Sequence, residues 1–200
     1  IAPENPEAVP PEPAVFESAE RLRARIQLAL EGISPAGPRG AYLFHALSAD
    51  PTVRDAGIDS PTPGTVRVAL LSTVGDGAAD AELQAQVLDV LNSEHVRPLT
   101  DTVLVQSAEI VSYTIEATLT FYPGPDASVV MDAAQTAVET YAASRHRVGQ
   151  DVTRSGLFAA LHRQGVQKVD LIAPAADIVI TPTQAPWCTA ITLTDGGTDV

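Results

Sequence analysis

Apolar and polar residues alternate along several stretches of the chain, a pattern typical of strands with one buried face. The longest stretch is 109–122, in which Val111, Tyr113 and Ile115 begin an apolar series on one parity while the other parity is mainly polar. Shorter stretches are also predicted to be strands: 53–58, 65–72, 102–106, 166–172, 178–181 and 189–194. A sheet with one apolar face needs a covering layer, so the intervening helices are expected to pack on these strands.

Apolar residues recur at intervals of three and four in the remaining segments, which predicts amphipathic helices. In 13–32 this series includes Leu22, Ile26 and Ala29, with Ser18 near the start of the segment and Gly32 at its end. A short helix at 41–49 is expected to turn Leu43, Ala46 and Leu47 inward. Further helices are predicted at 80–94, 126–147 and 154–164, with Asp126 or Ser128 as the cap of the second of these.

Clusters of proline and glycine divide these elements into segments. Residues 1–13 contain five prolines among acidic residues and are predicted to be an extended linker. A helical segment follows at 14–52, then a first α+β lobe at 53–107 with the order β-β-α-β and a second α+β lobe at 108–200. The predicted fold class is α+β, with two small mixed α/β lobes preceded by a helical segment.

The composition narrows the range of functions. Apolar residues make up 45% of the 200 residues and aromatic residues only 4%, so an aliphatic core is expected. A net charge of -13 would repel a phosphate backbone, which argues against a nucleic-acid partner. No apolar run approaches the roughly 20 residues of a membrane span. The single cysteine, Cys188, cannot close an intrachain disulfide, and we expect a soluble protein of a reducing cytosol.

A search for reactive side chains finds no catalytic arrangement. The four histidines lie in four different segments without metal-site spacing: His45, His95, His146 and His162. Ser155 and Cys188 are the nucleophile candidates, but neither lies in a Gly-x-Ser-x-Gly elbow or another activating context. We therefore predict no catalytic, cofactor-binding or metal-binding residues.

Two short loops have a binding interpretation and a structural one. The loop Gly75-Asp76-Gly77 precedes a predicted helix, but it lacks a phosphate-binding motif, and Asp80 is interpreted as a helix cap. Asp76, Asp80 and Glu82 also lack the spacing of a calcium loop. For 97–101 the alternatives are a binding turn and a buried ion pair between Arg97 and Asp101 that fixes how two elements join, and the ion pair is favoured.

Several short motifs occur in a recognisable order along the chain. They are 36–42 (Ala-Gly-Pro-Arg-Gly-Ala-Tyr), 55–56 (Asp-Ala), 60–64 (Ser-Pro-Thr-Pro-Gly), 75–77 (Gly-Asp-Gly), 96–101 (Val-Arg-Pro-Leu-Thr-Asp), 124–126 (Gly-Pro-Asp), 165–166 (Gly-Val) and the strand around Cys188. Together they resemble the baseplate assembly protein J family (baseplate J-like) of contractile-tailed phages of the P2 type and of R-type phage-tail-like bacteriocins. The resemblance covers nearly everything after the proline-rich start, and family members have additional residues upstream of the matched region.

This resemblance implies a structural wedge component of a contractile tail baseplate, acting in baseplate assembly and in the triggering of sheath contraction. It implies no reaction and no cofactor, and the quoted motifs fit turn and packing roles. The implied partners are other baseplate wedge proteins and tail components in a hetero-oligomeric ring, without nucleic acid or membrane. The implied location is the bacterial cytoplasm during assembly, then the baseplate of the virion tail or of a released tail-like particle.

A ligand-binding or surface-binding module without catalysis is the alternative. Lobes of the α+β class with proline and glycine loops can house a pocket, and a fold does not dictate its function. A deep pocket with converging polar groups would favour that alternative, whereas apolar surface patches would favour assembly.

Overall fold

The computed structural model describes residues 18–29, 31, 38–93, 96–124 and 126–199, so the predicted linker at 1–13 lies outside the described residues. The chain divides into two compact units between Glu109 and Ile110. Each unit contains a three-stranded sheet with helices, which confirms the predicted α+β class. The finer segmentation into 14–52, 53–107 and 108–200 stays a prediction.

The first unit contains α1 (Ala19–Leu28), α2 (Arg39–Ala49), β1 (Val53–Asp59), β2 (Thr65–Ser72), α3 (Ala81–Leu91) and β3 (Thr102–Ser107). Its sheet has the order β1-β2-β3. β1 and β2 are antiparallel, whereas β3 is parallel to β2. The parallel pairing arises because α3 carries the chain back to the end of the sheet at which β2 begins. The predicted β-β-α-β order is confirmed.

One face of this sheet is covered by α2 and α3. The buried side chains that form this core include Tyr42, Ala46 and Leu47 of α2, Val68 and Leu70 of β2, and Leu83, Val87 and Leu91 of α3. Leu43, predicted to face inward, is half-buried at the edge of the core. Asp80 caps α3 by accepting a hydrogen bond of 2.8 Å from the Leu83 amide, as predicted from its position before the helix.

α1 lies against α2 through arginine rather than through its apolar stripe. The Arg21 guanidinium donates hydrogen bonds of 2.5, 2.6 and 2.5 Å to the carbonyl oxygens of Leu47, Asp50 and Pro51. These carbonyls lie in the last turn of α2 and directly after it, where the helix no longer supplies amide donors. The predicted stripe instead faces solvent, since Leu22 is 42% exposed and Ile26 is 62% exposed.

The second unit contains most of β4 (Glu109–Phe121), then α4 (Ala127–Arg145), α5 (Arg154–Leu161), β5 (Val166–Ala173) and β6 (Gln184–Thr198). Its sheet has the order β5-β4-β6, with β5 antiparallel to β4. β6 runs parallel to β4, because contacts later in β6 fall later in β4. The Thr189 hydroxyl donates to the Tyr113 carbonyl oxygen, and the Asp199 amide donates to the Phe121 carbonyl oxygen.

The apolar parity of β4 forms the centre of the second core, as predicted from the alternation. Tyr113, Ile115, Ala117, Leu119 and Phe121 are buried, and they pack with Val130, Ala134, Val138 and Ala142 of α4 and with Leu157 and Leu161 of α5. The residues between them on β4, from Ser112 to Thr120, are exposed or half-exposed. α4 begins at the cap Asp126, whose carboxylate accepts hydrogen bonds from the Ser128 amide and hydroxyl groups.

Two predictions about the second unit are wrong in detail. The segment 178–181 is not a strand: Ile178 forms only an isolated bridge with Val152, and the Ile180 amide donates to the Asp151 carboxylate at 2.7 Å. A side chain therefore satisfies the backbone that a neighbouring strand would have satisfied. α5 also ends at Leu161 rather than at 164, because the backbone of His162 leaves the helical region.

Candidate assembly surface

The motifs singled out in the sequence meet at one end of the first sheet. Tyr42 comes from α2, Gly64 ends the loop before β2, and Asp101 precedes β3. The Tyr42 hydroxyl donates to the Asp101 carboxylate at 2.8 Å, and the Thr102 amide donates to the Gly64 carbonyl oxygen at 2.7 Å. We call this set, residues 60–64 and 96–101 with Tyr42, the motif cluster.

Glycine is required in this cluster by backbone geometry. Gly64 has a φ of 78°, in the left-handed region that residues with a Cβ atom rarely adopt. Its carbonyl oxygen accepts the Thr102 amide, so this backbone conformation joins the proline-containing loop to the start of β3. The loop acts as a connector whose shape is determined by backbone hydrogen bonds.

The predicted ion pair between Arg97 and Asp101 is not what the structure shows. Arg97 is exposed, and its guanidinium donates to the Asp101 carbonyl oxygen at 3.1 Å rather than to the carboxylate. The carboxylate is instead engaged by Tyr42. The turn is closed by a hydrogen bond of 3.2 Å from the Asp101 amide to the Pro98 carbonyl oxygen, which leaves Leu99 99% exposed at its tip.

The electrostatics of the cluster favour a permanent hydrogen bond. Tyr42 is only 2% exposed, and burial, assisted by the hydrogen bond to Asp101, raises the pKa of its hydroxyl well above the ordinary value. The hydroxyl therefore stays protonated at neutral pH and acts only as a donor to the carboxylate. This geometry suits a structural tie between α2 and the turn before β3.

A surface ion pair joins β1 and β2 in the same unit. The Arg67 guanidinium contacts both carboxylate oxygens of Asp59, the Nε contact being 2.8 Å. This hydrogen bonding holds the pKa of Asp59 below its ordinary range. The two residues are cross-strand partners in the antiparallel register, so the pair supports that register at the surface.

The candidate catalytic residues that the structure describes lie in or at the ends of α2, α4, α5 and β6. His45 lies in α2 with its ring edge-on to Phe44, and His162 is exposed at the end of α5, whereas His95 lies outside the described residues. The Ser155 hydroxyl donates to the Thr153 hydroxyl at 3.3 Å, a contact that supplies no base.

His146 is buried, hydrogen-bonded and packed against an aromatic ring. It is 5% exposed, it ends α4, and its Nδ1 atom lies 2.7 Å from the Pro186 carbonyl oxygen. Its ring packs against Trp187 with a centroid distance of 4.8 Å. The residue therefore ties the end of α4 to the start of β6, which is the packed and hydrogen-bonded role that is common for a histidine on a helix.

Cys188 lies beside Tyr113 next to the second core. Its thiol donates to the Ala190 carbonyl oxygen at 3.4 Å, and burial raises the pKa of the thiol. Burial, with Cys188 nearby, also raises the pKa of the Tyr113 hydroxyl. A thiol with a raised pKa is a poor nucleophile at neutral pH, because the thiolate is the reactive form.

The glycine loop before α3 is a closed turn. The Asp76 carboxylate accepts the Ala78 amide at 3.1 Å, and the Ser72 amide donates to the Gly77 carbonyl oxygen at 2.7 Å. Asp80 is occupied as the cap of α3. Within the described ranges, no group of three or more His, Cys, Asp or Glu side chains is arranged to hold a metal ion. No described helix is long and apolar enough to cross a membrane.

Sequence reasoning missed two of the contacts that hold the first unit together. The bond between Tyr42 and Asp101 joins residues 59 positions apart, and no local pattern indicates such a pair. The contact of Arg21 with carbonyl groups at the end of α2 was also missed, because an arginine in an amphipathic helix is expected on the solvent side. The only sequence feature that could have indicated the Tyr42–Asp101 contact is that both residues lie in motifs shared with the baseplate J-like family.

Comparison with known proteins identifies the family. The family models for the Baseplate J-like central domain and the Baseplate J-like protein C-terminal domain match residues 34–107 and 113–194, respectively. The chain belongs to the baseplate J-like family. It is similar to "Baseplate protein J" of Escherichia phage P2, to which it is 47% identical over 199 residues, covering 100% of this chain and 66% of that protein.

A solved structure has a similar fold. One chain of the cryo-EM structure of the anti-feeding prophage (AFP) baseplate, 6-fold symmetrised, matches 91% of this chain with a TM-score of 0.58 and 17% sequence identity. The present chain covers 43% of that chain and spans about two thirds of the length of the phage P2 relative. At this level of identity the structural match concerns the fold alone.

Proposed function

We propose that this chain is a non-catalytic structural component of a contractile tail baseplate, acting as a wedge protein in baseplate assembly and in the triggering of sheath contraction. It works without a cofactor or a metal ion. Its partners are other baseplate and tail proteins, arranged with it in a hetero-oligomeric ring. It is built into the tail of a virion or of a tail-like particle after synthesis in the bacterial cytoplasm.

The main support for this proposal is that the motif residues form hydrogen bonds between structural elements. Tyr42 bonds to Asp101 before β3, and Gly64 bonds to Thr102 at the start of β3, so these motif residues tie three elements together. The ordered match to a central and a C-terminal baseplate J-like domain supports the same interpretation. A protein whose motifs brace loops is suited to presenting fixed surfaces to neighbouring subunits.

Domain organisation is part of the proposal. We assign the proline-rich residues 1–13 to a linker and 14–52 to a helical segment, followed by lobes at 53–107 and 108–200. The first lobe shares its core with α2 of the helical segment, and the second lobe has a separate core on its own three-stranded sheet. Two independently packed lobes allow one chain to contact more than one neighbour in a ring.

Complementation of a deletion strain tests this function. The gene is removed from the tail-producing bacterium or phage and the wild-type protein is supplied from a plasmid, as the complete gene product. Electron microscopy should show tails without baseplates in the deletion and tails with baseplates after complementation. Normal baseplates in the deletion strain, or assembled particles that lack this protein by mass spectrometry, would contradict the proposal.

A further inference from the structure

α1 carries an apolar stripe on its outer side. Ala19, Leu22, Ile26 and Ala29 follow each other at intervals of three, four and three residues. Leu22 is 42% exposed, Ile26 is 62% exposed, and Ala19 is also exposed. This spacing is that of the a and d positions of a coiled coil, which form a seam for a second helix.

The helix is held in place by contacts on another side. Arg21 donates to the carbonyl groups of Leu47 and Asp50, Arg25 donates to the Ser48 hydroxyl at 3.1 Å, and Leu28 packs at the margin of the first core. Ser18 caps the first turn by accepting the Arg21 amide at 3.2 Å. The stripe is therefore presented on a helix that is already ordered, which lowers the entropic cost of binding.

The charge of this helix indicates what kind of partner fits it. The sequence of α1 contains three arginines and one glutamate, within a chain of net charge -13. Exposed Arg23 lies directly beside the stripe, at a position that flanks a coiled-coil seam. Residues at such positions choose a partner by opposite charge.

We propose that the Leu22–Ile26 stripe of α1 docks an acidic amphipathic helix of another baseplate protein, a proposal that rests on the baseplate function proposed above. The partner helix contributes apolar residues at the same seam spacing and Asp or Glu beside them. A second copy of this chain is disfavoured as the occupant, because antiparallel pairing would place Arg23 against Arg23.

A binding assay with designed peptides tests the chemistry directly. The probes are two fluorescent amphipathic peptides of about three heptads with Leu at the seam, one flanked by Glu and the other by Lys. The protein should bind the Glu-flanked peptide at least about tenfold more tightly than the Lys-flanked one at low salt, and the difference should shrink at high salt. Equal affinities, or no binding of either peptide, would overturn the proposal.

Substitutions locate the binding surface. Leu22→Ser with Ile26→Ser should weaken binding of the Glu-flanked peptide by at least about tenfold, and Arg23→Glu should reverse the preference between the peptides. The matched control is Val129→Ser, at a residue of α4 that is 65% exposed, and it should leave binding unchanged. Circular dichroism checks that every variant is folded. Unchanged binding by the double variant, or a wild-type chain that dimerises through α1 in sedimentation and cross-linking, would reject the proposed occupant.

The complementation strain separates this inference from the proposed function. The wild-type protein should restore baseplates, whereas the Leu22→Ser and Ile26→Ser double variant should lower the number of particles with baseplates by at least about tenfold. Failure of the wild type would contradict the baseplate function itself. Full activity of the double variant alongside an active wild type would contradict only the docking helix.

Discussion

The Tyr42 hydroxyl donates a hydrogen bond of 2.8 Å to the Asp101 carboxylate and so ties α2 to the turn before β3. Tyr42→Phe removes the donor and leaves a half-buried carboxylate without it. We expect the free energy of unfolding of the first unit to fall by about 1–2 kcal/mol. Urea unfolding followed by circular dichroism measures the change.

The control for this substitution is Tyr122→Phe, because Tyr122 is half exposed. Its effect should stay within about 0.5 kcal/mol. The single tryptophan, Trp187, lies in the second unit, so its fluorescence transition should stay the same in Tyr42→Phe. A loss below about 0.5 kcal/mol in Tyr42→Phe would contradict a structural role for the bond.

Ile115 and Thr114 test the two faces of β4. Ile115 is completely buried between the sheet and the helices of the second unit, whereas Thr114 is exposed. Ile115→Ala should lower the free energy of unfolding by about 2–5 kcal/mol, because it leaves a cavity in the core. Thr114→Ala should change it by less than about 0.5 kcal/mol. Trp187 fluorescence in urea measures both, and similar losses in the two variants would contradict the assignment of faces.

The cap of α4 predicts a pH effect. Hydrogen bonds from Ser128 hold the pKa of Asp126 below its ordinary value, so this carboxylate binds protons less readily in the folded chain than in the unfolded one. The carboxylate contributes its full stabilisation above about pH 5. This stabilisation is lost as the pH falls below about 4 and then passes through the lowered pKa of Asp126 in the folded chain. Asp126→Ala should therefore destabilise the second unit at neutral pH, and its difference from wild type should vanish in acid.

Urea midpoints between neutral pH and about pH 3 measure this effect. Asp132→Ala serves as a control, since Asp132 is an exposed carboxylate of the same helix away from the cap. It should cost less at neutral pH than Asp126→Ala. A constant difference between Asp126→Ala and wild type across the whole pH range would show that the charge of the cap contributes nothing.

The thiol of Cys188 should react slowly with disulfide reagents. Burial raises its pKa, so less thiolate is present at neutral pH than for a free cysteine. The rate of labelling in the folded protein should be below that of glutathione. It should also continue to increase at pH values above about 8.5, where a free thiol has already titrated. The same reaction in urea gives the unfolded reference. Labelling of the folded chain as fast as that of glutathione would contradict this environment.

Much of the fold follows from local pattern. The alternation in β4 predicted which residues are buried, since successive side chains of a strand point to opposite faces. Asp80 was recognisable as a cap, and Asp126 as one of two candidates beside Ser128, because each precedes an apolar series at helical spacing. The segment at 178–181 misled the same reasoning, because an apolar run cannot reveal that the Asp151 side chain will satisfy its backbone.

Local sequence patterns predicted the α+β class, the β-β-α-β order of the first lobe and the resemblance to the baseplate J-like family, because periodicity, turn residues and ordered motifs are local properties. The pairing of Asp101 with Tyr42 instead of Arg97, and the orientation of α1 with Arg21 inward and Ile26 outward, became apparent only in the folded chain. Both arrangements depend on which polar groups still lack a hydrogen-bond partner once distant elements pack together. A local sequence pattern contains no information about those distant contacts.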